Sequence, residues 1–461
     1  MKRLFYTLLF FLPCMLIACG GSDDTPDGDN NPPVVAPPSE EPVDSRLLYN
    51  GIRLPEQWPP VRSSSSELEK GMSPFYLSDK PSVINISVGR QLFVDNFLIE
   101  STNLKRTFYY PEYYSGNPIL TPEQDWEKTG TKGAAFAAPF SDGVWYDEKE
   151  GKYKMWYMAG GGSYATSGAG VTCYAESTDG IHWTKPILSV VAGTNIVDYN
   201  SERDASVVWL DKQESNASKR YKMFLVARES GKWRYHYKTS PDGKVWRAAV
   251  QSEPIADRST VYKNPFRNVW VYSMRHNVRV DANKLVRARD YNENADPEAG
   301  TKKAEALLSA FWFGPWANEQ HHTDYPNIAP AIYNQDATPY ESIMLGFFSV
   351  WQGPENDVCA SDNVIKRNQV MVGYSRDGYS WFREDMNPFH AVNTTTSDAW
   401  NQGNLQSVAG APLIVGDKLY FYLSGRRLRG TQEITTTGLA MLRRDGFASM
   451  KGTGELQTSL L

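Results

Sequence analysis

The chain has 461 residues, and its 48 Lys and Arg against 53 Asp and Glu leave a formal net charge of −5. Both signs are mixed along it, which argues against nucleic acid or an anionic membrane surface as partner. Of four cysteines, only Cys173 and Cys359 lie beyond the first twenty residues. Two thiols make no disulfide framework, no Cys/His spacing suggests a metal site, and no cofactor is identified.

The N-terminus reads MKRLFYTLLFFLPCMLIACGGSDD. Lys2 and Arg3 precede an apolar stretch, Leu4 to Ile17, too short to span a bilayer comfortably. Leu16-Ile17-Ala18-Cys19 resembles the lipobox of bacterial lipoproteins. That resemblance implies a signal peptide over 1–19, cleaved before Cys19, with Cys19 acylated. Gly20 where an Asp would retain the protein at the inner membrane points to the outer membrane or cell surface of a Gram-negative bacterium. Residues 20–48 follow as a tether, rich through Val43 in Asp, Pro, Asn and Gly and too poor in apolar groups to offset their ordering entropy. No second hydrophobic span follows, so membrane contact is expected through the lipid alone.

From about residue 80 to 461 the pattern is strand and turn. Ser-Thr-Asp-Gly-Ile-His-Trp ends at Trp183, and the phrase returns as SPDGKVW from Ser240, SRDGYSW from Ser375 and, degenerate, RRDGFAS from Arg443. Between Asp179, Asp242, Asp377 and Asp445 the middle gap is almost twice the others, so one copy is lost and the period is about 65 residues. Five such units fill the chain from Asp125 onward. Each opens with a short run (GVWYD, SVVWLD, STVYKN, PAIYN, APLIVG) and continues with a second (KYKMWYM, RYKMFLV, VWVYSM, SIMLGFF, KLYFYLS). β-Branched and aromatic runs broken by Gly, Asn, Asp and Lys are strand signals. The repeated phrase joins strands three and four: Asp bonds backbone N–H groups across the turn, Gly takes a positive φ, and Trp anchors the outer strand. The expected fold is all-β, a five-bladed β-propeller with four-stranded blades. RQLFVDNFLIE, Arg90 to Glu100, has no unit of its own and is assigned the closing strand.

First strands of propeller blades line the central channel. Counting seven residues back from the turn residue ending each strand lands on Asp204 from Asp211, Asp257 from Asn264 and Asn327 from Asn334. Glu202 and Arg203 flank Asp204, and Arg258 follows Asp257. Upstream of Asn327 lie Glu319, His321, His322 and Asp324. The first unit offers Asp142, and the fifth brings Asp398, Trp400, Asn404 and Gln406. Glu341 falls at the opposite rim and reads as structural. Convergent carboxylates suit glycoside hydrolysis, in which one acid protonates the leaving oxygen and a second carboxylate activates water or attacks the sugar. The surplus of Trp and Tyr supplies flat faces for sugar rings.

The phrases NPILTPEQDWEKTG, LFVDNFLIE, DRSTVYKNPFRNVWVYSMR, YESIMLGFF and DKLYFYLSGR make the body, Arg90 to Met450, resemble the five-bladed propeller glycosidases of glycoside hydrolase families 32, 43 and 130. The resemblance implies three acids, as base or nucleophile, pKa-tuning carboxylate and proton donor. Asp204 and Asp257 match two of these roles by position, and the third stays open among Glu202, Glu319 and Asp324. The family-32 motif Trp-Met-Asn-Asp-Pro-Asn-Gly is absent, which argues against a fructan. Relatives commonly carry a β-sandwich after the propeller. Here the sequence ends at GELQTSLL, so either that domain is missing or the sequence is a fragment.

The leading expectation is an exo-acting glycoside hydrolase on an extracellular plant or algal polysaccharide or its oligosaccharides. Arg203, Arg258, His322, Asn327, Trp400, Asn404 and Gln406 are then the expected substrate contacts, and Arg203, Arg258, Arg275 and Arg289 suit sulfate or uronate groups. Two alternatives stand beside it. One is a polysaccharide lyase using His322, Tyr325 and Arg258; the other is a glycan-binding lipoprotein without catalysis.

Overall fold

Short β-branched and aromatic runs form the strands, and Asp-Gly turns join them. The structure is a computed structural model and describes residues 44–128, 134–165, 170–280, 284–396 and 398–461. The expected signal peptide, Cys19 and nearly all of the tether lie outside these residues. Ser45–Leu461 is one compact unit dominated by antiparallel strands. It begins well before residue 80, and the assigned tether ends inside it: Leu48, Ile52, Leu54 and Tyr76 are buried with Ile84, Phe97 and Leu98.

Five antiparallel groups follow one another. In the first, Ala135–Ala138 and Val144–Asp147 both pair Lys152–Ala159, which pairs Gly170–Ser177. The second runs through Ile196–Leu210, Tyr221–Glu229, Lys232–Ser240 and Arg247–Gln251. The third is Thr260–Asn264, Val269–Arg279, Leu285–Asn294 and Ala310–Phe313. The fourth is Ala331–Tyr340, Ile343–Gly353 and Arg367–Ser375. In the fifth, Asn404–Val408 and Leu413–Val415 both pair Lys418–Arg429, followed by Gln432–Arg443.

First strands of consecutive groups touch. The Val208 N–H donates to the Asp142 carbonyl (2.5 Å), the Arg258 N–H to Asp204 (2.7 Å), the Thr260 hydroxyl to the Gln335 carbonyl, and the Val408 N–H to Asp336 (3.1 Å). The fifth group also meets the first: the Phe140 N–H donates to Ser424 Oγ (2.7 Å) and the Val144 N–H to the Ala409 carbonyl (3.3 Å).

The repeated turn is built alike three times. Ser177 Oγ accepts the Gly180 N–H at 2.9 Å, while Asp179 Oδ1 accepts those of Ile181 and His182, both at 2.8 Å. Ser240 and Asp242, then Ser375 and Asp377, repeat the pattern. Gly180, Gly243 and Gly378 take φ of 76°, 77° and 75°. Each glycine carbonyl also accepts a bond from an aromatic of another group: Tyr422 (2.8 Å), Trp156 (2.6 Å) and Tyr262 (3.0 Å), respectively. The lost copy is in the third group, where the helix Pro297–Lys303 stands in its place, capped by Asp296 accepting the Ala299 N–H at 2.7 Å.

The closing strand differs from expectation. Glu112–Tyr113 pairs the strand Gln432–Arg443, and Leu120 bridges Thr437. Segment 90–100 is instead pinned by Asp95, which accepts from Arg376 Nε at 2.9 and 3.0 Å and from Arg376 Nη2 at 2.8 Å, both side chains buried. Its last residues turn into Ile99–Thr102, which pairs Leu456–Thr458. Removing one partner of such a buried pair costs about 3–5 kcal/mol.

Candidate active site

A backbone irregularity occurs at one level of each first strand. In the first group the strand breaks between Ala138 and Val144, with Phe140 at φ 44°. In the second, pairing slips between Arg203 and Ser206, leaving Asp204 and Ala205 out of register. Arg258, just ahead of the third strand, sits at φ 54°. Tyr333 is the extra residue between Ile332 and Asn334 in the fourth, and Ser407, at φ 67°, the extra one in the fifth. Bulges re-aim side chains and gather at functional sites.

At this level Asp204 and Asp257 come together. Arg258 joins them: its Nη2 lies 3.0 Å from Asp204, which also accepts the Arg258 N–H, and Asp257 takes an ion pair from Arg275. Burial, then the neighbouring charge of Asp204, pushes the Asp257 carboxyl above its usual range, against the opposing pull of Arg275, Arg258 and Arg287. The side chains of Asp204 and Asp257 keep 12% and 26% of their surface open.

Beside this pair stands Tyr333, buried, with Arg258 5.6 Å and Arg287 and Lys366 each 5.7 Å from its ring centroid. Arg426 and Arg258 also face Phe140, at 5.5 and 5.7 Å. Burial alone raises a phenol; here Arg258, Lys366 and Arg426 outweigh it and bring Tyr333 below its ordinary value.

Other expected site residues fall elsewhere. Arg203 turns the opposite way from Asp204 and is sealed between Asp142 (2.7 Å) and Thr172 (2.6 Å). Glu202 pairs with Arg228 on the adjacent strand, at 3.1 Å and partly exposed. Glu319 is buried in a two-pronged pair with Arg383 (2.5 and 3.1 Å), whose guanidinium lies over the rings of Trp316 and Phe348. Asp324 is exposed, 4.0 Å from His322, and His322 packs on Tyr325 with centroids 5.0 Å apart. Burial, then Arg367, lowers the His322 imidazole.

Asn327 lies exposed in a loop, because the fourth first strand ends at Tyr340 rather than at Asn334. Glu341 occupies that turn and bonds Arg90 and Arg444. Trp400 is no stacking platform: it is buried against Gly425, Gly438 and the edge of Tyr113. Asn404 and Gln406 do lie on the fifth first strand, buried. The Asn404 amide donates to the Lys366 carbonyl at 2.8 Å. Arg289, also buried, donates to the Arg258 carbonyl at 3.0 Å, and desolvation lowers it to about 10.

Tyr333, Arg287, Lys366 and Arg426 were not singled out from sequence. A count from Glu341 instead of Asn334 reaches Asn334 and so the neighbourhood of Tyr333; the three cations have no local signature. Among the described residues no group of three or more His, Cys, Asp or Glu side chains is placed to hold a metal ion, and no helix is long and apolar enough to cross a membrane. A cavity of about 810 Å3 lies apart from the acidic pair, lined by Tyr109, Tyr110, Tyr113 and Tyr114 among others. With neither Asp204 nor Asp257 in its lining, it is not the candidate site.

No protein-family model matches the chain, and no curated protein matches it. Solved structures similar to it include a glycoside hydrolase at 13% identity, covering 74% of this chain and 94% of its own, with a TM-score of 0.45. An N-acetylgalactosamine deacetylase from F. plautii, in complex with blood group B trisaccharide, is similar at 12% identity over 70% and 96%, TM-score 0.44. A glycosyl hydrolase from Bacteroides ovatus is similar at 13% identity over 75% and 97%, TM-score 0.43.

Proposed function

We propose that the five antiparallel groups are the blades of a β-propeller and that the chain is a glycoside hydrolase working at its axis. Support for the ring comes from the hydrogen bonds that link each first strand to the next and the fifth group to the first. The observation that carries the activity is the meeting of Asp204 and Asp257 at Arg258, with Asp257 held more weakly acidic than an ordinary carboxyl. In this reading Asp257 donates the proton to the leaving oxygen. Asp204, oriented by the Arg258 backbone and guanidinium, is the base or nucleophile. The substrate is an extracellular plant or algal glycan attacked from its end, and Cys19 carries the lipid that holds the enzyme at the outer membrane.

A second reading, a lyase, draws support from Tyr333, whose cation-lowered phenol suits proton abstraction beside a uronate. It replaces His322 and Tyr325, which pack on each other in their loop. Purified protein tested against plant and algal polysaccharides separates the two: reducing ends without new ultraviolet absorbance mean hydrolysis, and absorbance from a C=C bond means elimination. An Asp257→Asn protein that turns over as fast as the native one overturns the assignment of the donor.

A further inference from the structure

Four cations from three groups crowd the space beside the acidic pair: Arg258 and Arg287 from the third, Lys366 from the fourth and Arg426 from the fifth. Three of them surround one phenol ring. Carboxylates offset them unevenly. Asp204 holds Arg258 at 3.0 Å and Glu433 holds Arg426 at 3.0 Å, but Glu355 approaches Arg287 only to 3.8 Å. Lys366 makes no ion pair among the described residues, and its ammonium lies over the face of Tyr333.

Gathering like charges in a partly desolvated place is unfavourable unless an anion joins them. Arg287 keeps 23% and Arg258 14% of its side-chain surface open, so the cluster is reachable. Unspent hydrogen-bonding capacity lies on the first strand of the fifth group, which pairs the strand of Arg426. Both polar atoms of the Gln406 amide are buried without a partner among the described residues, as is Asn404 Oδ1 beside Lys366. Buried amides left in that state are costly and mark places where a further polar group fits.

We infer that the sugar bound against Asp204 and Asp257 carries a carboxylate or sulfate, seated among Lys366, Arg287 and Arg258 around Tyr333. The inference rests on the glycan-active reading of this site, and it narrows the substrate to an acidic glycan. Guanidinium forks and an ammonium recognise both kinds of oxyanion, so the two sources are separated by experiment.

Inorganic sulfate, glucuronate and glucose are titrated into the full chain at constant ionic strength, followed by calorimetry and by Tm. Saturable binding of sulfate or glucuronate, without binding of glucose at the same concentration, is expected. Lys366→Met and Arg287→Gln should each weaken it about tenfold, and Lys366→Arg should largely retain it. Sulfate as the stronger ligand indicates a sulfated sugar; glucuronate, a uronate. The inference is overturned if neither anion saturates, if glucose binds as well, or if the Met and Gln variants, with native circular dichroism, bind the anions unchanged. Because no turnover is read, anion binding without release of reducing ends from any polysaccharide discards the hydrolase and keeps the anion site.

Discussion

Arg203 and Asp204 are consecutive on one strand, and each joins a carboxylate–arginine pair with a different fate. Arg203 faces the first group and meets Asp142, with side-chain exposures of 1% and 0%. Asp204 faces the third and meets Arg258, with exposures of 12% and 14% and Asp257 alongside. The first contact is one anion to one cation, closed over by the inner strands, with no surface left for a ligand. The second has two carboxylates, Asp204 held by Arg258 and Asp257 by Arg275, and side chains that stay partly open to solvent. The sequence sets Asp204 beside Arg203 and Asp257 beside Arg258, but the ion pairs form instead between Arg203 and Asp142 and between Arg258 and Asp204; the direction in which the slipped strand turns each side chain separates a strut from a site.

Four experiments break or sharpen that contrast. The largest effect is expected at the open pair: Asp204→Asn or Asp257→Asn lowers turnover about a thousandfold, roughly 4 kcal/mol in activation free energy, read on protein with native circular dichroism. At the sealed pair the expectation is reversed. Arg203→Met strands Asp142 without its counter-ion and costs about 3–5 kcal/mol in a denaturant titration, whereas adding Asp142→Leu recovers part of the loss.

A third test uses acidity. Asp336 is buried among Ser141, Asn334 and the Val408 N–H, and burial pushes it up to about 7 from 3.8. A carboxyl raised in the native state holds its proton there more tightly than in the unfolded chain. Its contribution to stability is therefore complete below about pH 4 and is lost as pH rises through about 7. The Tm of the native protein should fall relative to Asp336→Asn across that window and run parallel above it. Glu202→Gln is the smallest: its pair with Arg228 is 35% and 45% exposed, so stability shifts by less than about 0.5 kcal/mol and turnover stays level.

The turns were the most readable part of the chain because their chemistry is local. Ser, Asp and Gly within four residues bond one another, so the phrase itself predicts the shape it takes. Asp204 and Asp257 were reachable by counting, since both strands end in recognisable polar turns. The same count failed at Asn327 because Asn334-Gln335-Asp336 looks like a turn; in the fold these residues are buried polar groups bonded to neighbouring strands. Trp400 misled for the converse reason. Nothing in its surroundings in the sequence reveals that Gly425 and Gly438 leave a slot for its indole. Lys366 and Arg426 reach Tyr333 and Phe140 only through register between distant strands, which sequence spacing does not encode.

The pairing of residues 112–120 with the strand Gln432–Arg443 has a bearing on how the protein is made. Asn117 donates to the Leu439 carbonyl and accepts the Leu439 N–H across 322 positions of sequence. A ribosome delivers the first of these partners long before the second, so the early segment must wait, edge unsatisfied, through most of translation. Long-range β pairing of this kind is slow and leaves sticky intermediates. The yield of native protein should therefore depend on what shelters the nascent chain until its final stretch emerges.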